Sequence, residues 1–350
     1  MSSGFEKKAK ILFVNDQPLG QITTFIEQDM LALEKYFSLE YLTLEKYGHD
    51  RMDCLFSSSV WKAVKRSDLV FIWFGNNSAV GIIAKILKKP VIIVGGGADV
   101  TFVPQIGYGL RRSDKIQLYL RAIGFKSADK VLLFSESSLR DFLTLPGANT
   151  HKGRAVYLSV DTNKFKPNGE KKFQALTVGY INESNMRRKG LQTFIDAACL
   201  TPEIKFRLIG QILEQKTADK IKANAPANLD FFGYTDNNEL LKRHIPFEYQ
   251  QSLVYAQLSY HEGFGVALAE AMACGCIPII TACGAMPEVA ADIGFCVPVD
   301  DPQAASVAIR KAINSNNKEQ SLRARERIVN LFPAEKREAT LKSIIEELLK

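Results

Sequence analysis

Residues 258–275 read LSYHEGFGVALAEAMACG, and the organisation of the chain can be worked out from this stretch. An apolar run ending near Ser259 has the character of a buried strand. Gly263-Phe264-Gly265 makes a turn, and a helix is predicted from Val266 to Cys274. Such a helix start presents backbone N–H groups and the positive end of its dipole, which suits an anion. The glycines let a diphosphate approach the backbone closely. Glu262 stands just before the turn, and Glu270 about one turn into the helix. A carboxylate repels a diphosphate, so Glu270 is better suited to the two hydroxyls of a ribose, whose protons its oxygens accept. The plainer alternative is a strand–turn–helix connection with surface carboxylates. Leu268 occupies the place of the third glycine of a dinucleotide fingerprint, and no G-x-x-x-x-G-K-[ST] loop occurs. Both facts count against a dehydrogenase or a P-loop NTPase.

Working outward, strand and helix signals alternate. Strands are predicted at Lys10–Val14, Leu39–Leu44, Leu69–Phe74, Pro90–Val94, Lys130–Phe134 and Ala155–Leu158, with helices over Ile22–Tyr36, Val60–Lys65, Ala79–Leu87 and Glu136–Leu143. Asp161–Lys172, with Asn163, Pro167, Asn168 and Gly169, interrupts the pattern as a boundary. Alternation restarts with strands at Phe173–Gly179, Lys205–Ile209, Leu229–Phe232, Val254–Ser259 and Ile277–Thr281, and helices over Leu191–Leu200 and Glu214–Ala223. The last stretch, Gln303–Leu349, is helical apart from Pro333. Two such blocks predict two doubly wound α/β domains, residues 1–165 and 166–332, with a cleft between them as the natural ligand site.

The chain has 350 residues, 46% hydrophobic and 24% charged, enough apolar material for two cores. No apolar stretch approaches the length of a membrane span, and the amino terminus has no signal-peptide pattern. A cytoplasmic protein is expected. Six cysteines without paired C-x-x-C spacing are expected to be buried, reduced thiols rather than metal ligands. The net charge of +7 is uneven: residues 1–165 carry 22 basic and 16 acidic side chains, and residues 166–350 carry 23 and 22. The basic first half points to an anionic partner: a phosphate-bearing substrate, an anionic lipid surface or nucleic acid. No nucleic-acid-binding motif supports the last of these.

Glu262 and Glu270 in E-x7-E spacing, within EGFGVALAEAMACG, IPIITACGAMPEVA and GFCVPVDD, resemble the signature of retaining glycosyltransferases of family four. Thr177-Val-Gly-Tyr with Arg187-Arg188-Lys189-Gly190-Leu191 is similar to the family's "VGR…KG" segment, and Phe232-Gly-Tyr with Asn238-Glu-Leu-Leu to its "GY…ELL" segment. The likeness spans most of residues 155–345. It implies GT-B architecture: two Rossmann-like domains facing a cleft, with a closing helix (333–350) packing back on the first domain. It also implies transfer of a sugar from a nucleotide-diphosphate sugar with retention of configuration, without cofactor or bound metal. Residue by residue, it places Glu262 facing the donor sugar, Lys189 and Arg188 or Arg187 on the diphosphate, Glu270 on the ribose, and the backbone of Gly263, Phe264, Gly265 and Val266 on sugar and diphosphate. The acceptor, a glycan or a lipid-linked molecule, falls to the first domain, with Gly20, Gly96, Asp99, Tyr108 and Arg111 as its candidate contacts.

Two departures stand out. Tyr180 replaces the family's arginine after "VG", so Arg187 or Arg188 is expected to supply the second cation from a longer loop. Gly96 stands where the family often has a histidine, leaving backbone N–H groups of Gly95-Gly96-Gly97 for contact. These departures motivate a second reading, a nucleotide-sugar-binding protein without turnover; an epimerase is a third. Arg111, Arg112, Lys115 and Arg121 are candidates for an acceptor phosphate or for peripheral contact with the inner membrane face.

Overall fold

A computed structural model describes residues 8–19, 22–47, 52–110, 115–235, 239–315 and 317–350. The chain forms two units, one running to Leu158 and regaining Glu335–Lys350, the other Ser159–Ala334.

The first unit carries β1 (Lys10–Asn15), β2 (Ser38–Thr43), β3 (Leu69–Trp73), β4 (Val91–Gly95), the two-residue β5 (Phe102–Val103) and β6 (Tyr108–Gly109), β7 (Lys130–Leu133) and β8 (Gly153–Ala155). Six of these form a parallel sheet in the order β2-β1-β3-β4-β7-β8. Every residue of β3 and β4 is buried. Parallel strands are covered on both faces, which is why they read as unbroken apolar runs. The Ala334–Leu348 helix is tied down by Arg337. Its guanidinium donates to both oxygens of Asp29 at 2.6 and 2.7 Å and to the carbonyls of Val156 and Tyr157 at 2.9 and 2.8 Å. Those two carbonyls are thereby withheld from a neighbouring strand, and the strand expected at Ala155–Leu158 is instead Gly153–Ala155.

The second unit carries β9 (Lys172–Val178), β10 (Lys205–Gln211), β11 (Leu229–Tyr234), β12 (Ser252–Gln257), β13 (Ile277–Thr281) and β14 (Phe295–Val297). All are parallel, in the order β11-β10-β9-β12-β13-β14. Counted from its own first strand this is 3-2-1-4-5-6, the doubly wound order, and the strand order reverses between β9 and β12. Ser159–Phe165 belongs here: Val160 exchanges backbone hydrogen bonds with Phe332 and Ala334, and Arg325 donates to the carbonyls of Thr162 and Phe165. The chain therefore changes unit at Leu158, ahead of the boundary loop.

Helices Lys115–Ser127, Glu183–Arg188, Glu239–Gln251 and Met286–Ala290 were not expected from the sequence pattern, and the final helical stretch is three helices. Cys54, Cys274 and Cys276 are buried as expected, but Cys199 and Cys296 are exposed. No helix among the described residues is long and apolar enough to cross a membrane.

Candidate active site

At the point of reversal in the second sheet, the loops after β9 and β12 diverge, and the two strongest candidates come from these loops. Lys189 ends the Glu183–Arg188 helix, and Gly190, at φ +65°, opens the next helix, Leu191–Cys199. A Cβ on Gly190 would lie 2.1 Å from the Leu258 carbonyl oxygen. The turn therefore lies flush against the end of β12. Tyr260 N–H donates to the Arg188 carbonyl at 2.9 Å in the same join. The result is that Lys189 Nζ reaches Glu262 Oε1 at 2.5 Å, across 73 residues of sequence.

Glu262 Oε1 also accepts from Gln257 Nε2 at 2.9 Å and Ser259 Oγ at 2.8 Å. Gln257 is held in turn by the Tyr255 phenol, 2.9 Å from its Oε1. The Glu262 backbone is gripped from the other side, where Ala285 N–H donates to its carbonyl at 2.9 Å. Gly284, at φ +59°, packs so closely that a Cβ would lie 2.3 Å from that oxygen. Burial pushes the Glu262 carboxyl up, but the charges of Lys189 and Arg188 and the Lys189 and Ser259 hydrogen bonds outweigh it and hold the group below the usual carboxylate range. Burial pulls the Lys189 ammonium down, and Arg188 adds to that against the opposing pull of Glu262; the balance is below an ordinary lysine. Two cations and one ionised carboxylate leave this cluster positive, which suits an anion.

The turn Gly263–Gly265 and the helix Val266–Ala273 follow as the sequence predicts, with Gly265 at φ +90° as the residue before the helix. The Phe264 side chain is buried in the core, packed edge-on against Phe332 with the ring centroids 5.4 Å apart, so its ring is not presented to a ligand. Glu270 lies in the second turn. Burial pushes its carboxyl up to about 8, against the opposing pull of Lys164 and a hydrogen bond from the Tyr249 phenol. Tyr249 is fully buried and packs edge-on against Tyr255 at 5.5 Å. The segment 243–253, without assigned role in the sequence, thus supplies the support beneath Glu270.

Arg187 and Arg188 diverge. Arg187 lies over the Tyr260 ring, 5.1 Å from its centroid, donates to the Tyr260 hydroxyl at 3.0 Å, and pairs with Asp300 at 3.3 Å. Arg188 is the one whose charge acts on both Lys189 and Glu262.

In the first unit, Asp99 is fully engaged by backbone rather than presented to a ligand. It is buried and accepts from Gly75 N–H at 2.9 Å, Gly96 N–H at 3.2 Å and Gly97 N–H at 2.9 Å. The expected free N–H groups of the glycine triplet are therefore spent at Gly96 and Gly97. Gly96 has φ +144°, and a Cβ there would lie 2.8 Å from the Phe134 ring, so no larger side chain fits. Tyr108 stands beside this loop, its hydroxyl 3.8 Å from where a Gly97 Cβ would be. Gly20, Arg111 and Arg112 lie outside the described residues. Arg121 is buried against Gly75 rather than on a solvent face. Among the described residues no group of three or more metal-ligating side chains is assembled.

Residues 160–328 match the family model for glycosyl transferases group 1. The whole chain is similar in structure to the Anabaena protein Alr3699/HepE in complex with UDP and glucose, at 18% identity and TM-score 0.76, over 97% of this chain and 100% of that one. It is also similar to a sucrose-phosphate synthase from Thermosynechococcus elongatus, at 17% identity and TM-score 0.77, over 97% and 99% of the two chains. A glycosyltransferase from Rickettsia africae ESF-5 matches at 16% identity and TM-score 0.74, over 98% and 99%. No curated protein matches the chain in sequence. The fold class is that of the GT-B glycosyltransferases, two parallel-sheet α/β units.

Proposed function

We propose that the protein is a retaining glycosyltransferase of family four, which moves a sugar from a nucleotide-diphosphate donor to a glycan or lipid-linked acceptor without a bound metal. The observation that carries this is the Lys189–Arg188–Glu262 cluster beside the Gly263–Val266 helix start, at the reversal of the second sheet. As the glycosidic bond breaks, negative charge grows on the departing phosphate. Fixed cations and N–H groups aimed there stabilise the transition state more than the ground state. Glu262, kept ionised, accepts hydrogen bonds from the donor sugar and opposes the positive charge that develops on its ring. The departing phosphate takes the acceptor proton, so no protein nucleophile is required. Glu270 holds the ribose. Gly96, Asp99 and Tyr108 shape the loops that recognise the acceptor, in a protein that works in the cytoplasm with peripheral contact to the inner membrane face.

The UDP-bound HepE supports a uridine donor as the first to try. Thermal-shift assays with UDP, GDP and ADP and their sugar conjugates, without metal, are expected to single out one base. Proton NMR of the transfer product then reads its anomeric configuration. Inversion would sink the retaining mechanism, and epimerisation of the donor without acceptor would replace transfer altogether.

A further inference from the structure

We infer that Gln257 is a positioning residue that turns the Glu262 carboxylate so that Oε2 alone meets the donor sugar; this rests on the glycosyl-transfer reading above. The last torsion of a glutamate is broad and two-fold, so the side chain itself does not decide which oxygen faces outward. The surroundings do. Oε1 accepts from Lys189 Nζ at 2.5 Å, Gln257 Nε2 at 2.9 Å and Ser259 Oγ at 2.8 Å. Gln257 and Ser259 are buried, at 3% and 0% exposure, so Oε1 is the inner oxygen. Among the described residues no donor reaches Oε2, yet it is not sealed in, and 11% of the Glu262 side chain is accessible.

The amide of Gln257 faces one way only. An amide can present its oxygen or its nitrogen, and the neighbours decide between them. Its nitrogen donates to Glu262 and to Ser259 Oγ, the latter at 2.8 Å, and its Oε1 accepts the Tyr255 phenol proton at 2.9 Å. Turned over, the amide oxygen would stand against the carboxylate, and the phenol proton would meet an N–H group. Tyr255 is fully buried, and burial pushes its phenol well above the ordinary tyrosine value, so the proton stays in place. Tyr255 and Gln257 lie two apart on β12 and share a face. A buried strand thus fixes a carboxylate that stands on the following loop before any sugar arrives. The outward oxygen then accepts a sugar hydroxyl without first giving up a bond to the protein.

Calorimetric titration into the full chain tests this, with UDP, GDP and ADP each set against its glucose, galactose, mannose and N-acetylglucosamine conjugates. For the pair that the wild type binds, Q257M removes the amide at similar volume. It should lose about three- to tenfold in affinity for the conjugate, the scale of one net hydrogen bond, and nothing for the diphosphate. Q257M also strands the Tyr255 phenol. Q257M/Y255F removes both ends of that bond, so its melting temperature should return toward wild type while the loss for the conjugate remains. In an E262A background, Q257M should change neither affinity. Equal losses for conjugate and diphosphate in Q257M/Y255F, wild-type binding of the conjugate by Q257M, or a loss that persists in the E262A background would overturn the role of Gln257 alone. A wild type that binds a diphosphate but none of its conjugates would overturn the sugar contact of Glu262 and the role of Gln257 with it. A wild type that binds no nucleoside diphosphate would overturn the glycosyl-transfer reading itself.

Discussion

Glu270→Gln isolates one half-buried carboxyl whose titration is tied to the stability of the second unit. Burial raises Glu270 from 4.5 to about 8. A carboxyl raised on folding means that the folded state holds its proton over a range in which the unfolded chain has lost it. Its contribution is fully present below about pH 4.5 and is lost as pH rises through about 8. Within that window the slope approaches about 1.4 kcal/mol per pH unit. With Glu270 partly open to solvent, the cost between pH 5 and pH 8 comes to about 3 kcal/mol. Glutamine keeps an acceptor for the Tyr249 phenol and never ionises. The difference in melting temperature, variant minus wild type, should therefore grow by about 6–12 °C across those three pH units, taking about 2–4 °C per kcal/mol. Differential scanning fluorimetry at half-unit steps reads this, with bound nucleotide absent. A difference that stays flat, or that shrinks as pH rises, would refute the claim that Glu270 is held protonated by its surroundings. Nucleotide should bind more weakly to the variant above about pH 8, where the wild type offers a carboxylate with two acceptor oxygens and the amide only one, and the difference should narrow at lower pH, where Glu270 holds its proton.

Lys189→Ala should lower kcat by about 100-fold or more while the donor's Kd changes much less, because the charge it meets grows only as the bond breaks; unchanged turnover in steady-state assays would remove Lys189 from the mechanism. Gly190→Ala forces φ +65° on alanine and drives its Cβ into the Leu258 carbonyl; a loss of about 2–3 kcal/mol in urea unfolding is expected, together with lower turnover as Lys189 is displaced. Arg337→Ala strands the buried Asp29 carboxylate and the carbonyls of Val156 and Tyr157; it should cost about 3–5 kcal/mol, with the paired change Asp29→Leu/Arg337→Met recovering much of the loss.

Most of the architecture was legible in the sequence because a parallel sheet leaves a strong local mark. β3 and β4 are unbroken apolar runs, β13 is apolar up to its last residue, Thr281, and the helices between them carry one apolar face, so strand and helix separate by period alone. The elements that escaped are those whose local signal is weak. The Glu183–Arg188 helix is six residues long and β14 three, shorter than any period can register. The Lys115–Ser127 helix holds Gly124, which reads as a breaker; in the fold it is the place where Ser78 packs, leaving no room for a Cβ. The Glu239–Gln251 helix contains Pro246, which in a local pattern likewise reads as a breaker.

The candidate site divides along the same line, between what a turn announces and what only the sheet brings together. Gly263, Gly265 and Gly190 announce close backbone approach in their own sequence context, and Glu262, Lys189 and Glu270 stand beside them. What those groups rest on is remote from them in the chain, or hidden in a polar residue of unremarkable context. Gln257 reaches Glu262, and Tyr255 holds Gln257 there because side chains two apart on β12 share a face. Tyr249 reaches Glu270 from a separate helix. Asn185 reads as an ordinary polar residue in a loop until its two ends are seen on Tyr180 and Arg188. Strand order is what makes the supports converge. With β9 and β12 adjacent and their following helices on opposite faces, the two loops open away from each other, and only residues at their very starts can meet. Lys189 is not at the start of its loop. It lies eleven residues beyond Val178, and the Glu183–Arg188 helix folds that length back, so that Gly190 lands on Leu258 and the ammonium on Glu262. The longer loop that displaces the expected cation from position 180 thus also supplies Arg188 and the asparagine that holds it.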